Sequence, residues 1–283
     1  MRVIVTGAGG QLGTEVAAAF ARRSHDELIA LSHGSLDVTD RDAVLGVVGT
    51  HRPDAIVNCA AYTDVDGCES DEIGAYALNA WAVRHLAEAG RRFDAHLCHV
   101  STDYVFSGEK PTPYHEWDPT SPRSVYGASK LAGEFEAGAT ATVVRTAWLC
   151  GPTGHNIVKT ILRLAARDDS PLRFVDDQVG SPTHAGDLAA TLRRLVVDRR
   201  PGTWHVTNAG SVSWYEVARR VLAAGGHDPG RVQPVTTAEL QPPRPAPRPT
   251  NSVLENRALR LAGLEGPGEW GDAFDRLVAQ IVA

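Results

Sequence analysis

A tyrosine and a lysine stand four residues apart in the segment Tyr126-Gly127-Ala128-Ser129-Lys130. With six tyrosines and only three lysines in the chain, about 0.06 such pairs are expected by chance. On a helix, residues four apart share one face. An ammonium about 4 Å from the phenol would favour the phenolate by roughly 4 kcal/mol, and so lower the pKa of Tyr126 from about 10. The pair therefore predicts a general acid that works near neutral pH.

A hydroxyl and a carboxylate follow the apolar run His96 to Ser101, which has the length and composition of a buried strand. Thr102 and Asp103 come directly after this run. Ligands of parallel α/β sheets bind at the carboxyl ends of the strands, so both side chains are candidates for substrate contact. Thr102 has the chemistry to polarise a substrate carbonyl. A threonine hydrogen-bonded only within its own strand end is the equally open alternative.

Three glycines, Gly7, Gly10 and Gly13, are spaced three residues apart. They follow the apolar run Val3 to Thr6 and open a predicted helix. In such a unit the first glycine permits a tight turn, the second lets backbone approach a pyrophosphate, and the third lets the helix pack on the strand. This context predicts a dinucleotide-binding turn, with glycines that merely end a strand as the structural alternative.

The end of the second predicted strand bears on the choice of nicotinamide cofactor. NAD-selective sites usually place an acidic residue there, which binds the ribose 2′-hydroxyl. This chain has Ser32 and His33 instead. Because no carboxylate repels a 2′-phosphate, NADPH is predicted, and NADH is also compatible. A little further on, Asp37 either accepts a hydrogen bond from the adenine amino group or caps the helix that follows.

Short β-branched runs alternate with helical stretches through the first 150 residues. Buried strands are predicted at Val3–Thr6, Leu28–Leu31, Ala55–Asn58, His96–Ser101 and Ala141–Trp148. Helices are predicted at Leu12–Arg23, Arg41–Thr50, Ile73–Gly90 and Tyr126–Gly138. Because such alternation requires right-handed crossovers, the chain is predicted to form an α/β fold with a doubly wound parallel sheet of the Rossmann type. Residues 1–150 would form this dinucleotide-binding domain.

After residue 150 the alternation loosens. Helices are predicted at His155–Arg167, Ala185–Arg199 and Ser213–Ala224, the last opened by a capping box of Ser213 and Glu216. A strand at Thr203–Thr207 is predicted to return to the sheet. Five prolines between Pro242 and Pro249 favour a rigid surface connector over a polyproline segment that binds a partner.

Composition excludes several classes of protein. The 28 basic and 34 acidic residues give a formal net charge of −6, which offers little attraction for nucleic acid or for an anionic membrane. Neither a signal-peptide pattern nor a long apolar run is found. The four cysteines are scattered, unlike those of a zinc site or a disulfide-stapled domain. A reduced, cytoplasmic protein is expected, without nucleic-acid or membrane partners.

Several motifs together resemble one family. They are the glycine turn, Asn58–Thr63, Ser101–Gly108 and Tyr126-x-x-x-Lys130, with further matches at Arg145–Trp148, Gly154-x-Asn156, Asp176–Thr183 and Ser213–Glu216. Over nearly its whole length the sequence is similar to the dTDP-4-dehydrorhamnose reductase family of extended short-chain dehydrogenases/reductases. This resemblance implies NADPH-dependent reduction of the 4-keto group of a nucleotide-linked 6-deoxy sugar, in the first place dTDP-4-dehydro-L-rhamnose. Residues 151–283 would then form mainly the smaller substrate-binding region.

The resemblance implies a role for each matching residue. Tyr126 would protonate the keto oxygen, Lys130 would hold the nicotinamide ribose, and Thr102 would bond the reacting oxygen. The expected cofactor-binding residues are Gly7, Gly10, Gln11, Leu12, Gly13, Ser32, Asp37, Val38, Ala60, Ala61, Tyr62, Tyr126 and Lys130. The expected substrate-binding residues are Thr102, Asp103, Tyr104 and Trp148. For Trp148, a core indole at a strand end is the alternative.

Other functions are compatible with parts of this pattern. A related dehydratase would carry an acid where Tyr104 stands, so reduction is favoured over elimination. A reductase for another dTDP-4-keto sugar fits the same residues. A non-catalytic regulatory subunit similar to the β subunit of methionine adenosyltransferase would not need Thr102, Tyr126 and Lys130 together.

The resemblance also implies a monomer or a homodimer. Some members of the family form Mg²⁺-dependent dimers through acidic residues. Glu15 is one candidate ligand, but no metal site is assigned because its companions are not identified. Since the substrate is itself an anion, Arg244 and Arg248 are expected to receive its diphosphate.

Overall fold

The computed structural model describes residues 1–22 and 26–282. The strands are β1 (Arg2–Thr6), β2 (Glu27–Leu31), β3 (Ala55–Asn58), β4 (His96–Thr102), β5 (Thr142–Thr146), β6 (Leu149–Cys150), β7 (Leu172–Val175), β8 (Val179–Gly180), β9 (Thr183–His184), β10 (Gly202–His205), β11 (Val212–Ser213) and β12 (Val232–Val235). The helices are α1 (Gln11–Ala21), α2 (Arg41–His51), α3 (Val65–Ser70), α4 (Glu72–Tyr76), α5 (Ala82–Phe93), α6 (Val125–Ala137), α7 (Ile157–Arg167), α8 (Ala185–Val197), α9 (Trp214–Ala224), α10 (Arg257–Leu261) and α11 (Trp270–Val282). A π-helix (Ala77–Trp81) joins α4 to α5.

Six parallel strands form the central sheet, in the order β2-β1-β3-β4-β5-β10. The order reverses beside β1, and ligands of such sheets bind at the carboxyl ends of the strands near this switch point. Each predicted strand is present, with ends that differ from the prediction by at most two residues. The predicted doubly wound α/β fold is therefore confirmed, and so is the return of the chain to the sheet, as β10 beside β5.

Alternate residues of β1 face opposite sides of the sheet, as strand geometry requires. On one face Val3 and Val5 belong to a buried cluster with Leu12 of α1 and Leu188 of α8. On the other face Ile4 belongs to a cluster formed with α2 and α5. Because helices cover both faces, the parallel strands are apolar on both sides.

A third buried cluster lies among α7, α9 and α11. Three two-stranded sheets accompany it: β6 with β9, β7 with β12, and β8 with β11. No helix was predicted for α11, although Phe274, Leu277 and Val278 have helical spacing and are fully buried. The α8 helix comes late in the chain and yet packs against the central sheet. The division of the chain at residue 150 stays a prediction.

Several helix boundaries differ from the prediction. The short helix α3 was missed because it buries only Cys68 and so carries no apolar period. The predicted helix Ile73–Gly90 contains the π-helix and continues to Phe93. The predicted end of the first helix at Arg23 lies outside the described residues. Ser213 caps α9 as expected, accepting a hydrogen bond from Glu216 N (3.3 Å).

All four cysteines fall within the described residues and are free thiols. Of the helices in residues 1–22 and 26–282, none combines the length and the apolar character that a membrane span requires.

Candidate active site

Tyr126 lies in the first turn of α6. Ser124 caps this helix and accepts a hydrogen bond from Gly127 N (3.1 Å), which satisfies a donor that helix geometry leaves open. A Cβ atom on Gly127 would lie 2.2 Å from the carbonyl oxygen of Tyr104. Glycine therefore allows α6 to approach the turn that follows β4, and this approach brings Tyr126 to the carboxyl edge of the sheet.

Thr102, Asp103 and Tyr104 lie around Tyr126. Thr102 Oγ1 donates to Asp103 Oδ1 (2.9 Å) and accepts from Tyr104 N (3.2 Å). The rings of Tyr104 and Tyr126 meet edge to face, with centroids 5.5 Å apart. The Thr102 side chain also lies near enough to the phenol of Tyr126 to affect its pKa. The structure thus brings together three of the four residues expected on the substrate side and the expected proton donor.

The protonation of Tyr126 differs from the expectation. Burial raises the pKa of the phenol above its ordinary value of 10, and the nearby Thr102 side chain opposes only part of this rise. The prediction that Lys130 lowers this pKa is wrong, because Lys130 is not among the groups that shift it. Its ammonium instead donates to the carbonyl oxygen of Val100 (2.6 Å). Tyr126 is therefore protonated throughout the neutral range, as a proton donor must be.

Lys130 is buried one turn further along α6 and is 2% exposed. Burial lowers its pKa to about 8, whereas the carboxylate of Glu134 raises it. Glu134 is itself held by Arg145 (2.7 Å) and by the hydroxyl of Ser101 (2.5 Å). Burial raises the pKa of the Cys59 thiol in the loop after β3, and the charge of Lys130 opposes this rise. This lysine therefore lies between the proton donor and the loop expected to bind the cofactor, and it is mostly charged at pH 7.

Asp103 is 2% exposed. Burial raises the pKa of its carboxyl group to about 6, and the hydrogen bond from Thr102 and the nearby side chain of Ser252 oppose the rise. Because Ser252 follows the proline-rich segment in the sequence, Asp103 lies where the end of β4 adjoins the C-terminal part of the chain.

The glycine turn after β1 has the close approaches that its spacing predicts. Gly7 has a φ of +64°, and a Cβ atom there would lie 2.6 Å from Ala60 N. Gly10 N donates to Gly7 O (3.0 Å) and closes the turn. A Cβ atom on Gly13 would lie 2.1 Å from Gly7 O. The glycines therefore allow the turn to pack both on α1 and on the loop after β3.

Backbone donors are available at the N-terminus of α1. The first hydrogen bond of the helix runs from Thr14 N to Gly10 O (3.0 Å). The N–H groups of Gln11, Leu12 and Gly13 precede it, an arrangement that suits a pyrophosphate. The side chain of Leu12 is buried in the core, so this residue offers only its backbone.

The side chain of Gln11 connects the turn to the second half of the chain. Its Oε1 accepts hydrogen bonds from Gly151 N (3.0 Å) and from Asn156 Nδ2 (2.9 Å). Asn156 also caps α7, accepting from Lys159 N. The amide oxygen of Gln11 is therefore occupied, and its backbone is the part positioned for a phosphate.

The end of β2 presents hydroxyl groups. Ser32 and Ser35 are exposed, with their Oγ atoms 3.4 Å apart. Both N–H groups of Ser35 and Leu36 donate to Ser32 O (3.0 Å each), which folds the segment into a turn. A 2′-phosphate would meet these hydroxyls rather than a carboxylate.

Asp37 does not cap the helix that follows. Its Oδ1 accepts from the backbone N (2.9 Å) and hydroxyl (2.7 Å) of Thr39, and these bonds lower the pKa of Asp37. Asp40 caps α2 instead, accepting from Ala43 N (3.0 Å). The capping alternative for Asp37 is therefore wrong, because the helix begins one turn later. Val38 is buried in the core beneath this loop.

Asn79 was missed from the sequence, although it holds the loop Ala60–Tyr62. It is fully buried in the π-helix, and its amide group exchanges hydrogen bonds with Tyr62 N (2.9 Å) and Tyr62 O (3.1 Å). The same amide donates to Ser129 Oγ (3.0 Å) in α6. The sequence did contain a sign of this role. Asn79 stands four residues before Val83 and so on the same, buried face of the helical segment, where an apolar residue is normally found.

Trp148 lies where the chain leaves β5. Its backbone is left-handed (φ +47°), and its ring stacks on Trp214 with centroids 3.7 Å apart. A Cβ atom on Gly180 would lie 2.4 Å from the same ring. Trp148 thus joins the carboxyl edge of the sheet to the second half of the chain, and its contact with a sugar stays a prediction.

Arg244 and Arg248 are paired with an acid of the chain. Arg248 binds both carboxylate oxygens of Asp66 (2.9 Å each), and Arg244 lies 3.3 Å from one of them. The sequence-based expectation that both arginines receive a diphosphate did not include their pairing with Asp66. A diphosphate bound here must share them with Asp66.

Glu15, the candidate magnesium ligand, lies on α1 opposite Gly186. A Cβ atom on Gly186 would lie 3.3 Å from Glu15 Oε2 and 2.8 Å from the ring of His184. Across the described part of the chain, no group of three or more His, Cys, Asp or Glu side chains is arranged to hold a metal ion.

The whole chain is similar to known reductases. It is 47% identical, over 100% of its length and 96% of the relative's, to a probable dTDP-4,6-dihydroxy-2-methyloxan-3-one 4-ketoreductase of Streptomyces antibioticus. It is 45% identical to the dTDP-4-dehydrorhamnose reductase of Mycobacterium tuberculosis, covering 98% of this chain and 92% of the relative.

Solved structures agree with this relationship. A dTDP-4-dehydrorhamnose reductase of Bacillus anthracis, crystallised in complex with NADP, superposes with a TM-score of 0.94 at 37% identity and covers 99% of both chains. The Clostridium acetobutylicum reductase gives a TM-score of 0.95 at 38% identity, with both chains covered in full. The description of one family, the RmlD substrate binding domain, matches residues 1–283. With a match of this length and these identities, the chain belongs to the RmlD substrate binding domain family.

Proposed function

We propose that this protein reduces the 4-keto group of a dTDP-linked 6-deoxy sugar with NADPH, and that dTDP-4-dehydro-L-rhamnose, reduced to dTDP-L-rhamnose, is its first candidate substrate. The observation that carries the proposal is the convergence of Thr102, Tyr126 and Lys130 at the carboxyl edge of the sheet. The names of the Mycobacterium tuberculosis relative and of its solved neighbours support the substrate class.

The residues around the glycine turn fit a dinucleotide. A side chain at Gly7 or Gly13 would collide with backbone, so the turn keeps open the N-terminus of α1 and its unpaired N–H groups. Ser32 and Ser35 suit the 2′-phosphate of NADPH, and the NADP in the Bacillus anthracis structure supports that choice. When bound, the reduced nicotinamide supplies the hydride. Asp37, Val38 and the loop Ala60–Tyr62 are proposed to hold the adenine end and the far side of the cofactor.

Tyr126 and Thr102 are proposed to bind the substrate's 4-keto oxygen together. As the carbonyl carbon is reduced, negative charge builds on this oxygen, and a positioned donor stabilises it. Tyr126 is protonated at neutral pH, so its phenol transfers a proton to the oxygen, while Thr102 orients the phenol. Lys130 is charged and is proposed to hold the hydroxyls of the nicotinamide ribose. Tyr104 and Trp148 would line the sugar.

A reductase for another dTDP-4-keto sugar is the second candidate. It is favoured by the relative from Streptomyces antibioticus and by a dTDP-4-keto-6-deoxy-D-glucose reductase of Streptomyces niveus, 40% identical over 96% of this chain. A purely regulatory subunit would not need the proton donor, the threonine and the lysine together. Their presence in one site supports an enzyme. The four free thiols are in keeping with the reducing cytoplasm.

The experiment is a measurement of NADPH oxidation with a panel of nucleotide-linked 4-keto-6-deoxy sugars, with and without Mg²⁺, followed by determination of product stereochemistry. We expect turnover with dTDP-4-dehydro-L-rhamnose and formation of dTDP-L-rhamnose. Faster turnover of another dTDP-4-keto sugar would select the second candidate. A protein that oxidises NADPH with none of them, but binds a synthetase tightly, would be a regulatory subunit.

A further inference from the structure

The proline-rich segment Pro242–Pro249, called the strap here, is attached to the body of the protein by Asp66. Asp66 lies on α3, just after the loop Ala60–Tyr62 that is expected to meet the cofactor. Its two carboxylate oxygens bind Arg248 in a bidentate pair (2.9 Å each), and they also accept from Arg244 (3.3 Å) and from Ala246 N (3.1 Å). One carboxylate therefore receives four hydrogen bonds from a single segment.

The composition of the strap explains why it depends on a side chain. Five of its eight residues are prolines, which have no N–H group and cannot join a strand ladder. Of the three N–H groups that remain, that of Ala246 binds Asp66. Arg248 Nη1 also donates to Ala246 O (2.8 Å), so the arginine braces the strap internally. A bidentate arginine–carboxylate pair is a strong and directional contact of the kind that can replace backbone pairing.

The strap adjoins the reaction centre. Arg248 and Asp66 are near enough to the phenol of Tyr104 to affect its pKa, which Arg248 lowers and Asp66 raises. The ring of Tyr104 packs on that of Tyr126. Immediately after the strap, Asn251 N donates to Gly108 O (3.0 Å) and Ser252 N to Val179 O (2.8 Å), which fixes the chain beside the residues that follow β4. A cavity of about 300 Å³ lies between Asp66 and residues 240–245. Arg244 lines this cavity, whereas Arg248 lies on the side of Tyr104, which is expected to contact the sugar.

The ion-pair cluster itself is suited to an anion. Within it two guanidinium groups face one carboxylate, which leaves one positive charge in excess among these three side chains. The hydrogen bonds to Asp66 and to Ala246 O use three of the five N–H groups of Arg248, and the bond to Asp66 uses one of those of Arg244. Both arginines therefore keep donors that can bind a diphosphate without releasing Asp66, and guanidinium geometry suits phosphate oxygens.

We propose that Asp66 is a positioning residue for substrate binding: it holds the strap so that Arg244 and Arg248 present their remaining donors to the diphosphate of the nucleotide sugar. The inference rests on the proposed function, because it takes the substrate to be a nucleoside diphosphate sugar. Asp66 touches neither the keto group nor the hydride path. Its loss should therefore weaken substrate binding and leave the chemical step unaltered.

The test compares Asp66→Asn with wild type in NADPH oxidation, across a range of nucleotide-sugar concentrations. We expect KM for the sugar to rise at least tenfold, kcat to stay within threefold, and the dissociation constant for NADPH to be unchanged. Asp275→Asn is the matched control, since Asp275 forms a bidentate pair with Arg220 (2.8 and 2.6 Å) on the surface between α9 and α11. This control should change neither constant. An unchanged KM in Asp66→Asn, or a fall confined to kcat, would overturn the proposal.

A second measurement separates this inference from the proposed function. Hydrogen exchange of the ligand-free protein, followed in a peptide that spans residues 240–250, should be at least tenfold faster at Ala246 in Asp66→Asn than in wild type. Unchanged exchange would show that Asp66 does not hold the strap, whether or not the protein reduces any sugar. If Asp66→Asn does not fold, Arg244→Met serves, because Arg244 is mostly exposed. It should raise KM about threefold and weaken the dependence of KM on salt, and an unaltered KM would contradict the proposal.

Discussion

At the scale of single residues, burial sets the charge of the groups around the candidate reaction centre. It keeps the phenol of Tyr126 protonated, and it brings the pKa values of Lys130 and Asp103 to about 8 and about 6. A proton donor in a reduction must carry its proton when the substrate binds. Tyr126 meets this requirement because it is shielded from water, and not because a cation lowers its pKa.

Removing the phenol hydroxyl tests the proton donor. Tyr126→Phe should lower kcat for ketone reduction at least a hundredfold, since general acid catalysis contributes roughly 10²–10⁴-fold. NADPH affinity, measured by fluorescence titration, should stay within threefold of wild type. Retention of more than a tenth of wild-type turnover would show that another group donates the proton.

A second prediction concerns the buried carboxyl of Asp103. Because its folded pKa of about 6 lies above the ordinary value of 3.8, the native state binds this proton more tightly than the unfolded chain does. The unfolding free energy of wild type therefore loses up to about 3 kcal/mol as pH rises from 4 to 6. Asp103→Asn lacks this loss, so urea denaturation should show its stability relative to wild type improving across the same interval. If the unfolding free energies of the two proteins changed in parallel with pH, the pKa of Asp103 would not be raised in the fold.

At the scale of elements, the position of α6 depends on two glycines. Gly127 faces the carbonyl oxygen of Tyr104, and a Cβ atom on Gly133 would lie 2.1 Å from the carbonyl oxygen of Asn79. The two glycines sit on either side of Lys130 in the sequence. The helix that carries the proposed proton donor therefore packs, backbone against backbone, on the turn after β4 and on the π-helix.

Adding a methyl group at Gly133 tests this seating. Gly133→Ala should lower the unfolding free energy by about 1–3 kcal/mol and reduce kcat, because rigid backbone cannot yield to the new Cβ atom. Gly46→Ala is the matched control. It lies in the exposed face of α2 with no atom near its Cβ position, so it should stabilise the protein by about 0.5–1 kcal/mol. Equal effects of the two substitutions would show that α6 is not closely packed.

At the scale of the whole molecule, buried histidines contribute to the response of stability to mild acid. Burial lowers the pKa of His205 to about 3 and holds that of His99 well below its usual 6.5. Both are neutral in the fold and become charged in the unfolded chain as pH falls below 6.5. The stability they contribute is thus present above pH 6.5 and is lost as pH falls. Asp103 acts in the opposite sense between pH 6 and 4.

The titration of His205 gives a measurable slope. Unfolding between pH 6 and 4 lets this histidine take up about one proton, so it steepens the fall of the unfolding free energy by about 1.4 kcal/mol per pH unit. His205→Phe keeps a ring against Phe106, which His205 meets edge to face at 5.7 Å, and removes one titrating group. In urea denaturation its unfolding free energy should fall less steeply than that of wild type, by about the slope that His205 contributes. A slope equal to that of wild type would mean that His205 is protonated in the fold.

The fold was largely predictable from local pattern. Strands of four to seven residues rich in Val and Ile, and the helices between them, left only a doubly wound sheet as a compact solution. The glycine turn and the Tyr126–Lys130 pair were predictable for the same reason, because backbone conformation and helical spacing are local properties. Helix α3 was not predictable in this way, because it has only one buried residue and therefore no repeating apolar pattern.

What the sequence by itself determined is the class of fold, the glycine turn after β1 and the placement of Tyr126 and Lys130 on one helix. Tertiary structure decided how those groups are charged and what holds them. It turned the Lys130 ammonium toward Val100, enclosed Tyr126 and brought Asp66 to arginines 178 and 182 residues away in the chain. Desolvation depends on every element packed around a group, and ion pairs between distant segments depend on the final positions of both. Neither property is carried by a local stretch of sequence.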